Sequence, residues 1–325
     1  MDGMLELAGQ NLISPIILSF ALGLAAAWAR SDLTIPEAVA KAMSIYLLFA
    51  IGFKGGVAVS AHGIDTRLAL ALLAGVVLSA LLPLVAFALL RAMSRLSVLD
   101  AAATAAHYGS ISIVTFVAAT SVLTSVGIAA EGYMVAVAAA MEAPAILSAL
   151  WLAARHGGAA GMVPGLWREI LFNGSIVLLV GAFLIGWATG EPGLAEIDSF
   201  ISAPFKGVLC LFLLDMGLVA GRGLRQSGGV LGTGLFVFGV LMPLVGGAAG
   251  LAAGFALGLS EGGVALLATL AASASYIAVP AAMRVALPEA NPSVYLTLSL
   301  GVTFPFNLTL GIPLYIALAG AIAGG

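Results

Sequence analysis

Long apolar blocks alternate with short polar stretches along this chain. An apolar run of about 20 residues crosses the hydrocarbon of a bilayer as one helix. Ten such blocks can be read, over 12–29, 36–60, 68–90, 100–123, 132–153, 170–188, 203–224, 230–256, 262–283 and 293–322. Two of them are interrupted. His107-Tyr-Gly-Ser-Ile-Ser-Ile-Val-Thr115 breaks the fourth, and Ser273-Ala-Ser-Tyr-Ile-Ala-Val-Pro280 breaks the ninth. Each break replaces large apolar residues with Ser, Gly, Ala, Thr or Pro. Irregular backbone survives at membrane depth only where it is buried in protein or lines a cavity. Paired breaks in corresponding positions of two halves point to the binding site of a secondary transporter.

Composition agrees with the pattern. The 325 residues are 62% hydrophobic and 8% charged, against about 25% charged in a soluble domain. The chain therefore reads as an all-α integral membrane protein without an extramembrane domain. The longest connection is expected near 155–168. The single cysteine, Cys210, excludes an internal disulfide and a cysteine metal cluster. No basic patch suggests nucleic acid, and a net charge of −3 decides nothing about an anionic partner. Asp2 and Glu6 precede the first basic residue, Arg30, so no cleavable signal peptide is expected.

Basic residues orient the chain. With the N-terminus outside, the inner loops hold Arg30, Arg91, Arg95, Arg155, Arg168, Arg222, Arg225 and Arg284, whereas the outer side holds Arg67 and Lys206. Positive residues mark the cytoplasmic side. Both termini are then outside, which suits an even number of spans. Glu131, Glu191 and Glu261 are expected in outer loops.

The two halves repeat. Thr104 and Thr269, Ser110 and Ser275, and Gly52 and Gly217 all stand 165 positions apart. Leu82-Pro83-Leu84-Val85 recurs as Met242-Pro243-Leu244-Val245, and Tyr133…Pro144 as Tyr295…Pro305. The expected architecture is ten transmembrane helices in two five-helix repeats, 1–157 and 158–325, with helices 4 and 9 broken. Five crossings per repeat force the second to enter the membrane inverted, which sets two equivalent sites face to face near the midplane.

Candidate chemistry gathers at the breaks. A half-helix beginning inside the membrane offers free N–H groups and a dipole that favour an anion. Ser110, Ser112 and Thr115 add hydroxyls from one repeat, and Ser273 and Ser275 from the other. Carbonyls freed at a break can hold a hard cation such as Na⁺. Small and hydroxylated residues also let membrane helices pack closely, which is the plain alternative for any one of these serines. Glu142 lies inside the fifth span beside Pro144, and Asn307 occupies the matching region of the tenth; they are the candidate Na⁺ ligands or supports. Lys54 in the second span and Asp215 in the seventh are expected to form a structural ion pair, because an unpaired charge inside a membrane is costly. His107 could relay protons, with an unperturbed pKa near neutrality, or serve as a structural histidine. No His/Glu cluster has metal-ligand spacing.

At Ala-Ala-Ser-Ala-Ser-Tyr-Ile-Ala-Val-Pro280, Arg284, Pro288-Glu-Ala-Asn-Pro-Ser293 and Gly311-Ile-Pro313 the chain resembles the sodium-dependent bicarbonate transporter family of the SbtA type. Ile35-Pro-Glu37, Ile51-Gly52 with Gly55-Gly56, and Glu142-Ala-Pro144 agree as well. The resemblance covers nearly the whole chain. It implies a gate of spans 1, 2, 6 and 7, a core of spans 3–5 and 8–10, a homotrimer and an elevator-like movement of core against gate. It also implies a bacterial-type inner membrane. Tyr276 stands where the cyanobacterial members carry an aspartate, Lys54 where they have a threonine and Ala50 where they have a lysine. Their long central insertion is missing, and with it a ready place for a regulatory protein.

The function expected from residues and resemblance together is Na⁺-dependent symport of bicarbonate. Ser110, Ser112, Thr115, Ser273 and Ser275 would bind the anion, Tyr276 would donate to it or close the site, and Na⁺ would be the coupling ion. Symport of a small organic acid on the same fold is the alternative. A non-transporting membrane sensor ranks below it. So does a serine hydrolase using Ser110 or Ser112 with His107, for which no Gly-x-Ser-x-Gly elbow is present.

Overall fold

The computed structural model describes residues 13–63, 66–156, 172, 174–226 and 232–323. Most of the connection expected near 155–168 lies outside them, as do Asp2, Glu6, Arg168 and the side chain of Arg284. The described residues are helical and contain no strand. In chain order the helices are α1 (Pro15–Trp28), α2 (Glu37–His62), α3 (Thr66–Met93), α4 (Val98–Gly109), α5 (Ile113–Ser125), α6 (Met134–Ala140) and α7 (Glu142–Arg155). They continue with α8 (Gly174–Ile201), α9 (Phe205–Gln226), α10 (Thr233–Ala256), α11 (Glu261–Ala272) and α12 (Ala278–Ala286). The last span, Pro292–Ile322, consists of α13 (Pro292–Leu298), α14 (Phe304–Phe306) and α15 (Ile312–Ala323), joined by π-helical turns at Ser299–Thr303 and Asn307–Gly311.

Eight helical segments are long and apolar enough to cross a bilayer. Two predicted spans fall short of that. Pro15–Trp28 and Glu261–Ala272 are shorter apolar helices, the second because the chain breaks after Ala272. The sixth block was expected to end at 188, yet α8 runs on to Ile201 and takes in Glu191, which was expected in a loop. The cause is local. Gly190 takes φ 58°, a left-handed conformation that glycine adopts without steric cost. Pro192, whose ring presets a helical φ, then restarts the helix on a new axis.

The outer surface explains the apolar excess. On α3, Leu70, Leu73, Val77, Leu81 and Val85 are exposed, while Ser79, Leu82, Pro83, Ala86 and Leu90 are buried. This helix is apolar on both faces, and the outward one suits lipid rather than water.

Glycines set the closest helix crossings. Helix α1 packs along α9, and α2 along α8. A Cβ at Gly217 would overlap the Phe20 carbonyl of α1, and one at Gly23 the Leu214 carbonyl of α9. The other crossing uses the same device, Gly52 lying against the Leu179 carbonyl and Gly186 against that of Phe53. Such contacts bring backbones together where lipid supplies no hydrophobic drive. In a second group, α3 packs on α4 and α7, α4 on α7, α10 on α11, and α11 on α15.

The recurring prolines sit inside α3 (Pro83) and α10 (Pro243). Each removes a helical donor and frees the carbonyl four residues earlier. The freed Gly239 carbonyl accepts from the Thr303 hydroxyl at 2.7 Å, and Tyr108 shares a 2.6 Å hydrogen bond with that same hydroxyl. Two carboxylates clasp helix starts. Asp100 accepts from the Asn291 amide at 2.7 Å. Glu131 accepts from the Ser260 amide at 2.7 Å and from its hydroxyl at 2.8 Å.

Candidate functional site

Both predicted breaks are present, and they meet. Helix α4 ends at Gly109 and α5 starts at Ile113, leaving Ser110–Ser112 outside either helix. Helix α11 ends at Ala272 and α12 starts at Ala278, leaving 273–277 outside. The first residue past each helix has nearly the same backbone, Ser110 at φ −81°, ψ 164° and Ser273 at φ −83°, ψ 163°. Judged by these caps, Ser110 corresponds to Ser273 and Ser112 to Ser275, two positions off the 165-residue register.

Two hydrogen bonds tie break to break. The Ser112 amide donates to the Ser273 hydroxyl at 2.8 Å, and the Ser275 amide donates to the His107 carbonyl at 2.7 Å. Backbone N–H groups near the breaks were expected to serve an anion, and these two amides are taken up by the protein instead. Buried backbone donors rarely go without partners, and here each break supplies the other's acceptor.

The open donors lie one step further on. Ser112 caps α5, its hydroxyl accepting from the Thr115 amide at 3.2 Å. The residue before α12 is Ile277, which offers no side-chain cap. Helix α12 thus begins with the Ala278 and Val279 N–H groups lacking a side-chain cap, Pro280 having no N–H to offer, next to a Ser112-capped α5. Ile113 and Ala278, the first residues of the two helices, line one narrow cleft together with Ser112, Ser275, Tyr276 and Glu142. Its free space is about 10 Å³, roughly one water molecule.

Glu142 begins α7 and is 7% exposed. Its Oε2 accepts from the Ser110 hydroxyl at 2.5 Å. Ser79 supports this point from α3, its hydroxyl donating to the Met141 carbonyl at 2.5 Å and accepting from the Ala145 amide at 3.2 Å. Ser79 was missed in the sequence because a lone serine in a Leu/Ala-rich span looks like any packing residue. Asn307 is the counterpart of Glu142, since its amide donates to the Ala272 carbonyl at 2.8 Å, the last residue before the second break. Its oxygen accepts from the Tyr315 hydroxyl at 3.2 Å. Asn307 is outside the cleft lining.

The remaining candidates divide. Tyr276 packs edge-on against Phe304 at 5.5 Å, with its hydroxyl beside Ser112 but in no hydrogen bond of ordinary geometry. Thr115 lies one turn inside α5 and does not line the cleft. His107 Nδ1 is held by the Ala103 carbonyl at 2.7 Å, and the ring stacks on Tyr295 at 4.3 Å. Neither ring nitrogen bonds Ser110 or Ser112, so the base of the hydrolase alternative is missing.

Lys54 and Asp215 form no ion pair with each other among the described residues. Lys54 lies over the Phe205 ring at 5.6 Å, and the charge acting on it is that of Asp198. Asp215 sits ten positions further along α9, and its neighbouring charge is Arg222. The expectation does not hold because matching positions in the two halves of the sequence are not neighbours in space. Gly52 of α2 faces α8, whereas Gly217 of α9 faces α1.

Helices of this length, with apolar outward faces, fit a multi-pass membrane protein in which two broken helices meet. The chain belongs to the Na⁺-dependent bicarbonate transporter superfamily, whose family model matches residues 15–320. That superfamily is one of transporters, which is not an enzyme class. Comparison with curated proteins gives no match.

Proposed function

We propose that this protein carries bicarbonate into the cell together with Na⁺, by movement of a core against a gate. One observation carries the reading. Two half-helix N-termini, α5 and the uncapped α12, converge on a cleft whose wall holds a buried carboxylate, Glu142. The N-termini favour an anion. Among the described residues the Ser110 hydroxyl is the side-chain partner of this carboxylate, and a buried negative charge calls for a cation. A group suited to each ion therefore faces one cleft, which must widen from its one-water size to take them. Ser112, Ser275 and the first N–H groups of α12 would bind the anion. Ser110 would orient Glu142, and Glu142 with carbonyls at the first break would hold Na⁺ by hard oxygen donors. Thr115, Ser273 and Asn307 would brace the two breaks, and Tyr276 would swing from Ser112 to admit the anion.

The ten-span inverted repeat belongs to this reading. It is supported by the matching caps, by the matching glycine crossings α1–α9 and α2–α8, and by the matching pairs α3–α4 and α10–α11. The gate would be α1, α2, α8 and α9. The core would be the remaining spans, with the homotrimer assembled in a bacterial inner membrane and both termini outside. Uptake of labelled bicarbonate into proteoliposomes, with and without a Na⁺ gradient, tests the proposal. Equal uptake without the gradient refutes sodium coupling. Ile111, Ile113 and Ile277 make part of the cleft apolar, which favours a small organic acid as the second reading; preferential uptake of labelled acetate or pyruvate selects it.

A further inference from the structure

We propose that a second cavity, separate from the cleft, binds an amphipathic organic anion with an aromatic or medium-chain body. The cavity, open on one side, has a free volume of about 670 Å³. That is the size of pockets holding drug-sized molecules, which are largely apolar with a few placed polar groups, and far more than one bicarbonate fills. One side is formed by Ile51 of α2 and Phe205 of α9; the other by Phe116 and Leu123 of α5, Met134 of α6 and Leu266 of α11. Two lysines reach it, Lys54 and Lys206.

Charge complementarity selects the occupant. Lys54 is half-buried and forms no salt bridge among the described residues; its ammonium faces the Phe205 ring. Asp198, the charge that acts on it, accepts from the Ser202 hydroxyl and stands outside the cavity lining. Glu131, the acidic residue of the lining, has both oxygens engaged by Ser260. The wall formed by α2 and α9 thus carries two lysines against one carboxylate, Glu131, on the rest of the lining, with apolar surface opposite, which suits a carboxylate head with an apolar body. The walls come from both helix groups, so an occupant would wedge α2 and α9 against α5 and α11. Binding stands apart from the transport reading; inhibition by the wedge rests on it.

The test uses the full chain in nanodiscs, titrated calorimetrically with 2-naphthoate and with its neutral analogue 2-naphthamide. The expected result is saturable binding of 2-naphthoate, about tenfold weaker for 2-naphthamide and for the variant Lys54→Met/Lys206→Met, the scale of losing a hydrogen bond to a charged group. Leu266→Trp, which fills the cavity, is expected to abolish binding. Lys206→Met alone, at an exposed position, keeps the test valid if Lys54→Met fails to fold, with a loss of several-fold expected. Absence of saturable binding to the wild type, or unchanged affinity in the lysine or Leu266→Trp variants, overturns the proposal. Binding without any bicarbonate uptake would refute the proposed function and leave this site standing; uptake without binding would do the reverse.

Discussion

The two breaks differ more than a repeated design requires. The first is short, spans Ser110–Ser112, is capped by Ser112 on its far side and is held by a carboxylate, Glu142. The second covers 273–277, ends at the uncapped Ile277 and is held by a neutral amide, Asn307. Their shared beginnings place them alike, and their endings differ in chemistry. Uncapped N–H groups belong to the second break and a carboxyl group to the first. In the proposed function the anion therefore belongs chiefly to α12 and the cation to the Glu142 side. A symmetric pair would have offered two half-sites of the same kind.

The largest expected effect comes from removing the charge at the first break. Glu142→Gln keeps the shape and can still meet the Ser110 hydroxyl. We expect the Na⁺ concentration for half-maximal uptake to rise by about a hundredfold, the upper range for losing a hydrogen bond to a charged group. Anion affinity should move far less. The matched change Asn307→Ala should leave the Na⁺ requirement nearly as it is. Sodium titrations of uptake by both variants check this, and equal shifts would erase the assigned difference between the breaks.

Next come the serines. Ser275→Ala should weaken anion affinity about tenfold with little change in thermal stability. Ser112→Ala should weaken it similarly and also cost about 1 kcal/mol through the lost cap. Uptake at varied bicarbonate, beside thermal unfolding, separates the two. Wild-type uptake by both variants would remove these serines from the site. A purely structural effect, with a smaller change in transport, is expected for Ser273→Ala. It leaves the buried Ser112 amide without an acceptor, at about 1–3 kcal/mol, so the unfolding midpoint should drop while the Na⁺ requirement stays.

Much of this was legible in the sequence, because the bilayer imposes few choices. Long apolar blocks gave helices, and the polar interruptions at Ser110–Ser112 and 273–277 gave the breaks. The partners across the breaks were not legible. That Ser273 would accept from the Ser112 amide, or the His107 carbonyl from that of Ser275, depends on how two helix ends approach in space. Ser79 stayed hidden for the same reason, since its partners Met141 and Ala145 lie more than 60 positions away. Equivalence in a repeat also misled where it was taken for contact, as with Lys54 and Asp215.

That last error yields the smallest expected effect. If Lys54 and Asp215 neutralised each other, either single substitution would strand a charge and the double would be milder than the sum. Here Lys54 lies over Phe205 with Asp198 as its neighbouring charge, and the neighbouring charge of Asp215 is Arg222. The two positions share no partner, and changes at independent sites add to within about 0.3–0.5 kcal/mol. Lys54→Met, Asp215→Asn and the double variant should therefore close a cycle in unfolding free energy with almost no coupling term. A coupling well above that range would mean that the two charges meet in some state of the transport cycle. Asp198→Asn supplies the contrast. Paired with Lys54→Met it should show a coupling of several tenths of a kcal/mol, as expected of a solvent-screened pair, and larger than that of the Lys54–Asp215 cycle.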